Sequence, residues 1–224
     1  MQKNAKFTRS KLEHEVARAF NLWSDCINID FKKVHSWADI EISFKPNDHY
    51  PCRFQFQSEI PEYVRDQMNE TDVGTVSDVI AHAMPPPRMD YSNEMDGDIH
   101  LADQQDFILT KPDETEAGEK QHDLFLVLLH EIGHSLGLDH NFGSPDSIMQ
   151  PAINRDWDRK MHSLPAVDVA ALRRIYPSNT RFCKVDERSS DSDLVSSSST
   201  KSIGNLSLIC CSLFQLWSHL VQRF

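Results

Sequence analysis

Eleven residues, from His130 to His140, hold the densest chemistry of the chain: His-Glu-Ile-Gly-His-Ser-Leu-Gly-Leu-Asp-His. His130 and His134 are four apart, so on a helix both imidazoles leave the same face and can share one ion. Glu131 falls on the flank of that ion, where a carboxylate can take a proton from an activated water. Gly137 can adopt the left-handed conformation that ends a helix and turns the chain back. That turn lets His140 reach the same ion from outside the helix. Three imidazoles leave a fourth position for water, which suits a catalytic zinc rather than a structural one. A lone His pair four apart is often a polar patch, but the glycine and third histidine at fixed offsets are far more demanding. Met149, nine residues past His140, lies in the stretch Ser147-Ile148-Met149-Gln150-Pro151. The soft thioether of Met149 can floor such a site without competing strongly as a ligand.

The elements that must position these groups are partly legible. Asp123 is placed to cap a helix whose run Leu124 to Leu129 suits a buried position. Ser10 followed by Glu13 forms a capping box, and Leu12, Val16, Ala19, Phe20 and Trp23 repeat at helical spacing, which predicts a helix over 10–25. Strands are predicted at 28–34 and at 38–44, where Ala38, Ile40, Ile42 and Phe44 alternate with polar residues. Further strands are expected near 78–84 and 98–102, with irregular chain over 45–77 and a polar loop over 103–121. Pro165 opens a final helix carrying Val169, Leu172, Ile175 and Tyr176, and Pro177 closes it. Strands followed by helices indicate an α+β fold with a mixed sheet.

The 224 residues allow one domain over 1–178, a Ser-rich linker over 179–204 and a short apolar or amphipathic tail over 205–224. In the tail Leu206, Ile209, Cys210, Leu213, Leu216, Trp217 and Leu220 recur at helical spacing. Docking on the domain or on a membrane surface, a lipid-anchor signal, and a spurious extension of the gene model are the competing readings. The apolar stretch is too broken to span a membrane. A net charge of −11 argues against nucleic acid as a partner. The five cysteines, Cys26, Cys52, Cys183, Cys210 and Cys211, are odd in number and irregular in spacing, which predicts neither a disulfide framework nor a Cys-x-x-Cys metal site. Met1 to Lys6 leads straight into the first helix without a signal-like apolar run.

Taken together, the His130–His140 motif and the Met149 turn resemble those of the matrixins, the matrix metalloproteinase branch of the metzincins. The segments Ala17–Ser24, Ala38–Phe44, Ile80–Met84, Asp96–His100 and Leu164–Tyr176 resemble that family's catalytic-domain elements, so the likeness covers about residues 7 to 177. It implies a zincin-like α+β fold with a twisted mixed sheet, an active-site helix and a C-terminal helix. It also implies a secreted, zinc-dependent endopeptidase acting on peptide or extracellular matrix proteins. By the resemblance, His82, His100 and Asp48 fall on the ligands of a second, structural zinc. The family's remaining histidine falls on Pro46, so His49 would substitute; the alternative is strand histidines that face solvent. The family's calcium carboxylates fall on Ala102 and Gln105, which counts against structural calcium. Leu126 would line the pocket for the residue after the cut, with Ala81 on the strand that pairs with substrate and Pro151 and Ile153 in the wall. An open apolar pocket implies cleavage before large aliphatic residues. His14, His35, His122, His162 and His219 read as ordinary surface residues.

Departures from the family leave two other readings in view. Asn141 stands where matrixins usually have serine, and the gap to Met149 is one residue longer than their commonest spacing, as another metzincin branch would allow. The family's first strand, signal and zinc-blocking propeptide find no counterpart before the first helix. A fragment is the expectation there, and a catalytically inactive zinc-binding interaction protein is the alternative from a different class.

Overall fold

A computed structural model describes residues 7–46, 49, 79–86, 96–109, 121–151, 161–177 and 181–186. Their elements run α1 (Arg9–Ser24), β1 (Ile42–Lys45), β2 (Ala81–Ala83), β3 (Ile99–Ala102), β4 (Asp106–Ile108), β5 (Gln121–Asp123), α2 (Leu124–Ser135), β6 (Leu164–Pro165), α3 (Ala166–Ile175) and β7 (Val185–Asp186). The expected α+β class with a mixed sheet is what forms: β3 lies between β1, which it pairs in parallel, and β2, which it pairs antiparallel. Two further parallel pairs form, β4 with β5 and β6 with β7.

The centre of the molecule is α2. Every residue from Leu124 to Leu129 is buried, so the helix is apolar all round and can only be an interior element. The side chain of Asp123 accepts a hydrogen bond from Leu126 N at 3.2 Å, a cap worth about 1 kcal/mol. Helix α1 packs across α2 through Ala19, Leu22 and Trp23. The indole of Trp23 donates to the Leu129 carbonyl at 3.0 Å, so this large side chain is fixed by a polar handle as well as by burial. Arg18 lies 3.4 Å from the ring centroid of Phe125, laying a cation against the same interface.

Several expectations need correction. The cap of α1 is Thr8, not Ser10: Thr8 has extended backbone and its hydroxyl accepts from Lys11 N at 3.4 Å, which starts the helix before the capping box. No strand forms over 28–34; the chain there bonds side chains instead, with the Arg181 guanidinium donating to Asn28 and Asp30. The strand expected over 38–44 begins only at Ile42, because the Asp98 carboxylate takes the Glu41 N–H at 2.7 Å in place of a ladder partner. The polar stretch 103–121 carries β4 at its start and meets β5 at its end, anchored by the fully buried Phe107. Three-residue strands are too short to show an alternation.

A further correction concerns the cysteines and the end of the domain. Cys26 and Cys183 form a disulfide across 157 positions of sequence. Residues 181–186, which composition assigns to the linker, instead return to the domain: Arg181 N donates to the Cys26 carbonyl at 3.1 Å and β7 pairs with β6. The Ser-rich composition starts only at Ser189. The remaining linker, the tail, Cys52, Cys210, Cys211 and His219 lie outside the described residues. Among the described residues no helix is long and apolar enough to cross a membrane. Replacing both Cys26 and Cys183 by serine is expected to lower unfolding stability by about 2–5 kcal/mol, measured by denaturant titration of the oxidised wild type against the variant.

Candidate active site

The i, i+4 spacing read from sequence does its work on α2. His130 and His134 stand on one face of that helix, with their Nε2 atoms 3.1 Å apart. Gly137, with φ of +93°, takes the left-handed turn expected of it; its N–H bonds the His134 carbonyl, and Leu138 N bonds the Gly133 carbonyl. The reversed chain brings His140 back, its ring centroid 4.7 Å from that of His134 and 5.4 Å from that of His130. One nitrogen from each of the three rings lies within 4.8 Å of the others.

Backbone carbonyls orient two of the three. His130 Nδ1 faces the Ile148 carbonyl and His134 Nδ1 faces the Leu138 carbonyl, each at 2.7 Å. A carbonyl can only accept, so both rings carry their proton on Nδ1 and present the Nε2 lone pair to the shared centre. Burial, and the mutual repulsion of the rings at His130 and His140, lower all three pKa values, His140 to about 4. Neutral imidazoles with converging lone pairs are a donor set for zinc. Glu131 is buried beside them; desolvation pushes its carboxyl up to about 8, and its Oε2 has no hydrogen-bond partner among the described residues. A buried ionisable oxygen without a partner is costly, and in a cluster of metal-ligating side chains it marks a functional group.

Met149 lies directly under this group. A Cβ added at Gly133 would collide with the Met149 sulfur and lie 3.1 Å from the Trp23 ring, so the helix rests on Met149 at a point where any side chain would have to displace it. The turn that carries Met149 is itself held from α3. Asp168, which sequence reasoning missed, accepts from Ser147 Oγ at 2.5 Å and from Ile148 N at 2.8 Å, and Ser147 Oγ accepts from Met149 N at 3.1 Å. In the sequence Asp168 looks like an ordinary first-turn acid, favoured by the helix dipole; nothing local marks it as the partner of a turn twenty residues upstream.

The second histidine group also forms. β2 and β3 pair in a register that sets His82 opposite His100, and His49 joins them from the loop after β1. Their facing ring nitrogens are 3.1 to 3.4 Å apart. That is about the edge of a tetrahedron with metal–nitrogen bonds of about 2.0–2.1 Å. Burial first, then repulsion from neighbouring rings, lowers His82 to about 3 and His100 to about 4. Facing solvent is therefore ruled out for all three, which are buried. Asp48 lies outside the described residues. Of the pocket residues, Leu126 and Ala81 are buried, Pro151 is half-buried, and Ile153 lies outside the described residues. His14, His35 and His162 are exposed, as expected, whereas His122 is half-buried on β5.

An interior helix that carries two neutral imidazoles and a buried carboxyl, with a third imidazole behind a glycine turn and a thioether below, defines a metzincin-type metallopeptidase centre. The matrixin family model matches residues 1–177. The chain belongs to the matrixin family, whose members use zinc. Its relatives include matrix metalloproteinase-18 of Xenopus laevis, 30% identical over 169 residues, covering 75% of this chain and 29% of that protein. Macrophage metalloelastase of Oryctolagus cuniculus is 30% identical over 175 residues, again 75% of this chain and 29% of the relative. The chain thus spans less than a third of the length of these relatives.

Gly133→Ala is expected to force Met149 and Trp23 apart and to destabilise the fold by about 1–3 kcal/mol, read by denaturant unfolding.

Proposed function

We propose that the chain is a zinc-dependent endopeptidase that hydrolyses extracellular or matrix proteins, preferring a large aliphatic residue after the cut. The observation that carries the reading is Glu131, a buried carboxyl with an unpartnered oxygen, on the same helix as two converging imidazoles. His130, His134 and His140 would hold the ion. When bound, zinc acidifies a water and polarises the scissile carbonyl. Glu131, ionised beside a divalent cation, takes the proton of the attacking water at Oε2 and delivers it to the leaving amine. Its burial suits both steps, because a carboxyl in low dielectric holds a proton well enough to pass it on. No covalent intermediate is required, so no serine or cysteine nucleophile is called for.

The remaining assignments follow the same family likeness. An extended substrate pairs with the edge of the strand that carries Ala81. Leu126 sets the depth of an apolar pocket walled by Pro151 and Ile153. His49, His82 and His100 would hold a second zinc, structural in role, with Asp48 as a candidate fourth ligand. Secretion is supported by the Cys26–Cys183 disulfide, since such bonds persist in oxidising compartments.

The test uses the full chain, oxidised, with bound zinc measured and a quenched peptide carrying Leu after the scissile bond. Two zinc equivalents are expected, together with turnover that Glu131→Ala reduces by about 10²- to 10⁴-fold while zinc is kept. A matched peptide with Asp after the bond is expected to be cleaved poorly. Zinc-loaded protein without turnover dependent on Glu131 sinks the protease reading and favours a zinc-binding interaction protein.

A further inference from the structure

Three large apolar side chains stand out in water among the described residues: Trp37 at 97% exposure, Phe182 at 100% and Val34 at 43%. All three sit on two segments that are bonded to each other. Arg181, next to Phe182, donates to Asn28 and Asp30, and Val34 and Trp37 follow shortly after Asp30 in the chain. The base of each segment is fixed. Phe31 packs on Phe20 of α1 with ring centroids 4.6 Å apart, Lys33 pairs with Glu13, and Cys183 is tied to Cys26. From Val34 to Asp39 every residue is exposed, so a bare tip projects from an anchored base. Trp37 has φ of +55°, a left-handed conformation that bulky side chains rarely adopt. Strain at a side chain that adds nothing to the core points to a role outside the fold. The charge around these tips is also reversed. Within two residues of Val34, Trp37 or Phe182 stand four cations, Lys32, Lys33, Arg181 and Lys184, and one acid, Asp39, whereas the whole chain has 34 acids against 23 cations. Lys32 and Lys184 are exposed.

We propose that these two segments dock the protein on a phospholipid surface bearing anionic headgroups, with Trp37, Val34 and Phe182 entering the interfacial layer and Lys32 and Lys184 facing the headgroups. Aromatic side chains favour the boundary between headgroups and acyl chains, and cations beside them add attraction to anionic lipid. A sulfated polysaccharide would engage the cations but leave Val34 and Phe182 in water, so it answers only half of the pattern. The net charge of −11 does not prevent the contact. At physiological salt, charges are screened over about 8 Å, so the bilayer senses mainly the groups that reach it. None of His130, Glu131, His134 and His140 lies on these segments, and the inference does not depend on the zinc reading.

The experiment sediments the full oxidised chain with vesicles of phosphatidylcholine alone or of equimolar phosphatidylcholine and phosphatidylserine. Binding to the mixed vesicles is expected, weaker on the neutral ones and falling as salt is raised. Trp37→Asn supplies a residue suited to the left-handed backbone and is expected to weaken binding by about 10-fold or more, with the thermal unfolding midpoint not lowered. Lys32→Glu is expected to weaken it by about 5- to 30-fold and to reduce its salt dependence. Phe182→Ser, on the other segment, is expected to act in the same direction as Trp37→Asn. A wild-type chain that does not sediment with the mixed vesicles overturns the proposal, and ultracentrifugation without lipid then shows whether a second copy covers the patch instead. Binding undiminished in the combined Trp37→Asn and Phe182→Ser variant also overturns it, and assigns the lipid contact to another part of the chain, such as the tail over 205–224.

Discussion

Three imidazole nitrogens brought together can share one cation only if every ring is neutral and turned lone pair inward. Meeting that constraint determines much of the architecture. It requires a helix buried on all sides, which Leu124 to Leu129 supply, and two carbonyl acceptors placed behind the rings, which Ile148 and Leu138 supply. It also requires a chain reversal within one helical turn, which Gly137 makes at positive φ. The parts of the fold that look peripheral serve the same end. Helix α1 fixes the Leu129 carbonyl through Trp23, one residue before the first ligand, and α3 fixes the turn through Asp168.

The centre was legible in the sequence because its determinants are local. Four-residue spacing, a glycine at a helix end and a capping aspartate each act within a few residues, so pattern alone places them. The same holds for the final helix, announced by Pro165 and observed from Ala166. The second histidine group needed more: His82 and His100 meet only through the β2–β3 register, and the family likeness supplied what periodicity could not. His49 joins them in place of the residue at Pro46, with its Nδ1 2.9 Å from the Pro46 carbonyl.

What escaped the sequence is long-range or short in extent. Cys26 and Cys183 pair across most of the chain, and an odd cysteine count at irregular spacing gives no hint of partners. Asp168 is an unremarkable acid until Ser147 and Ile148 are folded against it. β4 and β5 are too brief to alternate visibly, and the stretch 28–34, where Arg181 bonds Asn28 and Asp30, forms no strand. In each case the missing information was a partner in space.

The Cys26–Cys183 bond encloses the whole active centre in one covalent ring, from the end of α1 to the start of β7. A single cut anywhere between those cysteines would leave the two pieces joined, with the helix of His130 and the return of His140 still tethered to the rest. The crosslink therefore converts an internal nick from a dissociation into a local break that the folded halves can outlast.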